Sequence, residues 1–285
     1  MSIEACESAE VRPRPVTGKE PSPLYRDWLR RQRREVFIVR GAQLFLVVAF
    51  LVLWEIAPRM HWVNPMLTSY PSAVWVSFLS MIAEGELGKH VAVTVLETVV
   101  SFLLSMAIGT AGAIALWMSD RAQKVLDPFL VVANALPKIA LVPIFYLWLG
   151  AELSIYGIAV AVAVFITMLM IFTGFQQTDH NKIKLVRTLG ASRVQILTKV
   201  VLPGNVPTFI AALKANAGLS LVGVIVGEFQ SAKAGLGYLI IYGSQIFRMD
   251  MVMAAIVILG LMSLVLYMAI QLFERALVKP AARNE

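Results

Sequence analysis

The side chains that could do chemistry in this chain are a few ionisable groups set within long apolar runs. Lys138, Lys214 and Glu97 lie inside such runs, and Glu228 ends another. An ionisable group in an apolar span is costly and therefore marks a functional hypothesis. Two interior lysines would suit the passage of an anion, with Glu97 compensating one of them. For each lysine the alternative is a structural ion pair, or a chain that extends to the interface.

The neutral side chains of Asn134 and Asn216 lie in the same apolar runs and could line the same candidate path for the solute. Glu228 either borders an outer gate or caps a re-entrant turn over 228–250. The full candidate set is Lys138, Asn134, Lys214, Asn216, Glu97 and Glu228.

No pattern of catalytic or metal-binding residues accompanies these groups. The single cysteine, Cys6, excludes a disulfide within the chain, and His61, His90 and His180 are scattered. The phosphate-binding sequence G-x-x-x-x-G-K-[ST] is absent, so ATP phosphates have no usual cradle here. The sequence therefore predicts no catalytic residue, no metal and no cofactor bound by this chain.

Long charge-free stretches must position the candidate residues. The chain has 285 residues, of which 58% are hydrophobic and 15% charged. A bilayer core needs about 20 apolar residues in a helix. Six such spans are predicted, at 41–57, 91–118, 125–149, 153–175, 205–227 and 251–272. The fold class is therefore an all-α integral membrane protein with six transmembrane helices.

The basic residues set the orientation of these spans. With six spans, nineteen of the 25 Lys and Arg fall on the side that holds both termini, and four fall on the other. Cytoplasmic loops carry the excess of Lys and Arg, so both termini are predicted to be cytoplasmic. The net charge of +7 is explained in this way, and no groove-reading motif suggests nucleic-acid binding. Residues 1–40 form a polar, basic tail, residues 41–275 the membrane domain, and residues 276–285 a second tail.

Two further features of these segments are predicted. The proline-rich residues 1–35 favour a loosely ordered tail, whose basic cluster at 30–34 suits anionic lipid. In the longest external loop, Pro71-Ser72 favours a short helix through Ala83. That helix either lies on the membrane surface or contacts an external partner.

The loop 178–203 is the most patterned segment. Asp179 or Thr178 can cap a helix that runs to Leu189, with Ile183, Val186 and Leu189 on one face. Gly190 ends it. Ser192 and Gln195 form a capping-box pair for a second helix, which is expected to stop ahead of Pro203. The loop is therefore predicted to form two short basic amphipathic helices, which would either rest on lipid or dock on a partner.

This loop resembles the coupling motif of ABC importer permeases, E-A-A, three residues, G, nine residues, I, one residue, L-P. Nine residues separate Gly190 from Val200, and Leu202-Pro203 follow with the family spacing. The triplet departs from the family, because it reads Lys184-Leu185-Val186. The residues carried over are Lys184, Leu185, Val186, Arg187, Leu189, Gly190, Ala191, Ser192, Val200, Leu202 and Pro203.

Other stretches resemble the nitrate, sulfonate, taurine and bicarbonate branch of these permeases. They include Leu126-Asp127-Pro128, Tyr146–Gly150, Val226–Phe229 and Gly235–Leu239. The resemblance implies a multi-pass inner-membrane permease, two ATPase subunits that bind ATP and Mg, a second permease copy and an external solute-binding protein. The solute it implies is a small anion, and a neutral solute such as a pyrimidine or riboflavin is the alternative. A secondary transporter is a further alternative, but it predicts inverted repeats and paired intramembrane acids, which the sequence lacks.

Overall fold

All regular structure in the described part of the chain is helical. A computed structural model describes residues 23–278. Its α-helices are α1 Pro23–Arg59, α2 Pro65–Thr68, α3 Pro71–Ala83, α4 Glu86–Met118, α5 Asp120–Ala135, α6 Val142–Gln176, α7 His180–Thr188, α8 Arg193–Ile196, α9 Leu202–Gly204, α10 Val206–Ser231, α11 Leu236–Gln245 and α12 Met249–Val278. A short 3₁₀ segment at Lys138–Leu141 precedes α6, and a π-helical segment at Leu197–Val201 joins α8 to α9.

The chain divides into two units after Ile56. The first consists of most of α1, which begins at Pro23 with proline in its first turn, where the missing N–H costs no hydrogen bond. The expectation of a loosely ordered tail to residue 35 is therefore wrong from Pro23 onward. Residues 1–22, with Cys6, and residues 279–285 lie outside the described part.

Five of the described helices are long and apolar enough to cross a membrane. They are Arg34–Arg59, Glu86–Met118, Lys138–Gln176, Val206–Ser231 and Met249–Arg275. Spans were predicted in all five places. The short helix predicted over Pro71–Ala83 is confirmed as α3.

The third predicted span, 125–149, is not one continuous helix. It consists of α5, a break, the 3₁₀ segment and the first turns of α6, whose helix is interrupted at Gly150 with φ 77°. Leu136 is extended at ψ 135° because the ring of Pro137 excludes the helical region for the preceding residue. Pro137 thus ends α5, and Pro143 lies in the first turn of α6.

The core of the second unit is formed by α4, α6 and α10. Two glycines of α10 permit this packing, because a Cβ at Gly223 would lie 2.5 Å from the Cα of Ala159, and Gly227 is similarly close to Ile155. At Gly218 of the same helix, by contrast, nothing lies within 4 Å of an added Cβ. Small residues thus bring the backbones of α6 and α10 together along one face.

Candidate functional site

The first helix of the 178–203 loop forms as its sequence predicts. The Asp179 carboxylate accepts a hydrogen bond from the backbone N–H of Asn181 at 2.8 Å, which caps α7. Gly190 then takes φ +85° and ends the helix, because this left-handed conformation costs glycine nothing. Both local signals, the cap and the glycine, are confirmed.

The helix α7 has two different faces. Ile183 and Val186 are half-buried and pack against the core cluster formed by α4, α6 and the following helices. On the opposite face Leu185 is 62% exposed and Leu189 is 78% exposed. Leu189 was expected on the inward face with Ile183 and Val186, and the structure corrects this. The loop therefore presents two large apolar side chains outward, between the exposed cations Lys182 and Lys184.

The second helix is anchored in the bundle. Ser192 caps it through the predicted box, in which Ser192 Oγ accepts from Gln195 N and Gln195 Oε1 accepts from Ser192 N. Ile196, Leu197 and Val201 are buried in the core cluster, whereas Val194 is 56% exposed. Val194 therefore faces outward, and Ile196 belongs to the buried face.

The helix does not stop ahead of Pro203, as the sequence suggested. It widens into π-helical geometry over Leu197–Val201 and continues through Pro203 to Gly204. A proline inside an α-helix lacks one donor and clashes with the carbonyl four residues earlier. A π-bulge accommodates such a misfit without ending the helix, so the turn comes at Asn205.

Two polar clamps hold the loop. Arg193 donates to the Met118 carbonyl at 2.9 Å and to Asp120 Oδ2 at 2.7 Å, which ties α8 to the junction of α4 and α5. The Arg193 guanidinium holds the pKa of Asp120 below its usual value. Asn205 Nδ2 donates to Thr178 Oγ1 at 2.8 Å and closes the base of the loop. The 119–124 turn and the 178–203 loop therefore lie at the same end of the bundle, as the charge bias required.

The eleven residues that match the coupling motif fall into an exposed group and a half-buried group. Seven are exposed, namely Lys184, Leu185, Arg187, Leu189, Gly190, Ser192 and Pro203, and four are half-buried, namely Val186, Ala191, Val200 and Leu202. The departing triplet thus places a free cation and a free leucine at the surface and one valine inward. The sequence missed Asp120 and Asn205, whose partners are distant in the chain; only the acid in the first turn of α5 hinted at a role.

Lys138 lies at the break after α5, about 24 Å along that helix from Asp120. Its ammonium donates to the Asn134 carbonyl at 2.8 Å, as a cation at a helix C-terminus does. Within residues 23–278 it forms no salt bridge, and it lies 5.9 Å from the Phe165 ring centre. The lysine is half-buried and the Asn134 side chain is exposed.

Lys214 forms a structural ion pair. Its ammonium lies 2.7 Å from Glu274 Oε2 on α12, and both side chains are about one third exposed or less. The expectation that Glu97 compensates one of the lysines is wrong, because Glu97 faces Glu228. The expectation that the apolar spans hold no paired acids is wrong for the same reason. Lys138 is left as the interior cation of the candidate set that no acid neutralises in the described chain.

Glu228 caps the re-entrant helix α11. Its carboxylate accepts from Thr94 Oγ1 at 2.6 Å and from Gly237 N at 2.5 Å, and it is 1% exposed. Thr94 Oγ1 in turn accepts from Leu236 N, and His90 Nδ1 accepts from Gly235 N. The first turn of α11 is thus bound to α4 and α10, and of the two alternatives for Glu228 the geometry favours the cap.

Asn216 joins three helices rather than lining an open path. It is fully buried; Ser105 Oγ and Ser220 Oγ donate to its Oδ1, and its Nδ2 donates to Thr167 Oγ1 at 2.6 Å. Buried amides with all partners satisfied fix the register of packed helices. The seam of α4, α6 and α10 is therefore held at a polar point within an apolar core.

The chain resembles membrane transport proteins along most of its length. Residues 101–280 match the family model of the binding-protein-dependent transport system inner membrane component. The chain is 26% identical over 240 residues to the putative aliphatic sulfonates transport permease protein SsuC of Escherichia coli (strain K12), covering 84% of this chain and 91% of SsuC. It is 30% identical to the formylaminopyrimidine transport permease protein ThiX of Halalkalibacterium halodurans, covering 80% of this chain and 91% of ThiX.

A solved structure shares the fold. The inward-facing MetNI methionine ABC transporter matches with a TM-score of 0.58 and 18% identity, covering 64% of this chain and 92% of that chain. The all-α arrangement of a type I importer permease, expected from the sequence, is confirmed.

Proposed function

Because the chain belongs to the family of binding-protein-dependent transport system inner membrane components, and is a multi-pass ABC importer permease, we propose that it carries a small anionic solute, such as a sulfonate, across the membrane. An external binding protein delivers the solute, and separate subunits hydrolyse ATP. Because the chain belongs to this family, we favour an ATP-driven importer over a transporter driven by an ion gradient.

The two-faced helix α7 carries the proposal for coupling. Leu185 and Leu189 are large, apolar and exposed, and lie on the face turned away from the bundle. Lys184 stands beside them where the family motif has an acid. We infer that the ATPase receives these leucines in an apolar cleft with a matching acid near Lys184. Charge pairs at the edge of an interface select the partner and its register more than they add affinity.

Lys138 supports the anionic solute. Its charge is uncompensated by any described carboxylate, and it lies where Pro137 ends α5 and its ammonium reaches the Asn134 carbonyl. Lys214 does not support it, since Glu274 neutralises that lysine. The resemblance to ThiX keeps a neutral solute such as a pyrimidine as the second candidate.

The proposed assembly has two copies of this permease, two ATPase subunits and one binding protein. ATP and Mg are bound by the ATPases, and we assign no cofactor, metal or catalytic residue to the permease. Membrane lipid surrounds the spans, and nucleic acid has no role. Chemical crosslinking and mass measurement of the purified complex test the stoichiometry.

The function is tested in proteoliposomes that contain the permease with its ATPase and binding protein. We expect ATP-dependent uptake of a sulfonate, and a loss of at least tenfold in the Lys138→Gln variant. Lys138→Arg, which keeps the charge, is the matched control and should retain most of the uptake. Uptake of a pyrimidine but not of a sulfonate would favour the second candidate, and uptake without ATPase subunits would contradict the importer mechanism itself.

A further inference from the structure

A cavity of about 390 Å³ lies between α7 and the bundle, on the side of the loop opposite the exposed leucines. His180, Ile183 and Arg187, one turn apart along α7, form one wall. Trp117 and Phe172 belong to the other. The volume falls in the usual range for sites that hold a small ligand.

The charges in this cavity are not balanced. Asp120 is the acid among its lining residues, and it is already hydrogen-bonded to Arg193. Arg187 also lines the cavity and lies further from the same carboxylate, so two arginines share one acid in the lining. Within the described chain the guanidinium of Arg187 forms no hydrogen bond, and the residue is exposed, so its donors are available to a ligand.

Guanidinium groups beside an aromatic wall favour one ligand chemistry. Arg binds phosphate oxygens through paired N–H donors, and basic pockets between helices at the cytoplasmic surface bind the head groups of anionic lipids. Trp117 lies in the last turn of α4, and amphipathic aromatic rings concentrate at the ends of membrane-spanning helices. We propose that the cavity binds a phosphate-bearing anion, chiefly the head group of an anionic phospholipid from the predicted cytoplasmic leaflet.

A bound phosphate would join Arg187 on α7 to Arg193 on α8, and so brace the loop against the bundle. The site is separate from the solute path and from the docking face. It adds a binding function for lipid to the permease, and it stands whether or not the transported solute is an anion.

The test uses the full chain in nanodiscs of phosphatidylcholine, with or without phosphatidylglycerol. Native mass spectrometry counts the retained lipids, and the thermal midpoint reports stabilisation. We expect one tightly held phosphatidylglycerol per chain, and at least a tenfold loss of its apparent affinity in Arg187→Gln. Lys182→Gln is the matched control, because it removes one charge from the same helix without touching the cavity. Gln123→Glu, which adds an acid to the cavity wall, provides a second variant should Arg187→Gln fold poorly.

Separate arms distinguish the sources of the phosphate. Glycerol 3-phosphate added to phosphatidylcholine nanodiscs should raise the thermal midpoint less than the lipid does, and Arg187→Gln should abolish that rise. A rise with glycerol 3-phosphate alone would keep the site and make its ligand a soluble anion. Equal losses in Arg187→Gln and Lys182→Gln, no effect of either anion, or displacement of the lipid by the ATPase would overturn the proposal.

Discussion

Gly190 allows the coupling role of the loop to be tested through backbone conformation alone. It takes φ +85°, and a Cβ added there would meet nothing within 4 Å. Alanine at this position would therefore cause no clash, but the left-handed conformation costs a non-glycine residue about 1–2 kcal/mol. Gly204 is the matched control, since it too has open space around a Cβ but lies in helical conformation.

The expected consequence is a change in coupling rather than in folding. The connection at Gly190 is exposed, so α7 can relieve the backbone strain by rotating away from the position in which Ile183 and Val186 pack against the bundle. A cost of 1–2 kcal/mol shifts that equilibrium by about 5- to 30-fold. In Gly190→Ala we expect more ATP hydrolysed per solute imported, with a larger effect in Gly190→Val. Gly190→Asn should recover part of the coupling, because asparagine tolerates this conformation.

The assay measures ATP hydrolysis and solute uptake in the same proteoliposomes. Gly204→Ala should leave the ratio unchanged, because the substitution suits a helix. The reasoning is refuted if Gly190→Ala and Gly204→Ala give the same ratio, or if Gly190→Asn is as uncoupled as Gly190→Val.

Three further predictions concern the polar contacts. Thr94→Val leaves Leu236 N–H unpaired and removes one hydrogen bond to Glu228, so hydrogen exchange at 235–237 should quicken by the equivalent of about 1–3 kcal/mol; Ser244→Ala, which removes only a bond within α11, is the control, and equal exchange in the two variants would count against the cap. Lys214→Gln should lower the thermal midpoint and the double variant with Glu274→Gln should partly restore it, because the single change strands one charge; no restoration would argue against a structural pair. Arg193 lowers the pKa of Asp120, so the stabilisation from their pair is complete above the ordinary aspartate pKa of about 3.9 and is lost as the pH falls below it; thermal scans should show that Asp120→Asn removes this acid dependence, and an unchanged pH profile would contradict it.

The sequence predicted best those features that depend on neighbouring residues. The cap at Asp179, the turn at Gly190 and the box of Ser192 with Gln195 are all local, and the structure has each of them. The helix over Pro71–Ala83 was likewise readable from its proline start. Apolar length alone also located the five long helices, because bilayer thickness fixes that length.

The sequence failed where two competing local effects or a distant partner decided the outcome. Pro137 and Pro203 are both prolines in helical surroundings, yet the first ends α5 and the second is absorbed by a π-bulge. The buried neighbours Ile196, Leu197 and Val201 hold the second helix in place, whereas in the described structure neither α5 nor the 3₁₀ segment after Pro137 contains a buried residue. The partners of Lys214 and Glu228 lie 60 and 134 residues away, at separations that no periodic pattern reports.

The arrangement of the loop explains how a small docking surface could move a helix bundle. Its second helix is buried through Ile196 and Val201, and Asn205 ties its end to Thr178 at the start of the loop. A displacement of Leu189 therefore does not unwind the Asn205–Thr178 end of the loop, and it is transmitted through α8 to α10. Motion between the two helices must concentrate at Gly190, the exposed connection between two capped elements. The departure of the triplet to Lys184-Leu185-Val186 leaves Gly190 and the caps on both helices unchanged. Lys184 and Leu185 alter the surface that a partner would meet, whereas Val186 is half-buried and packs against the core cluster.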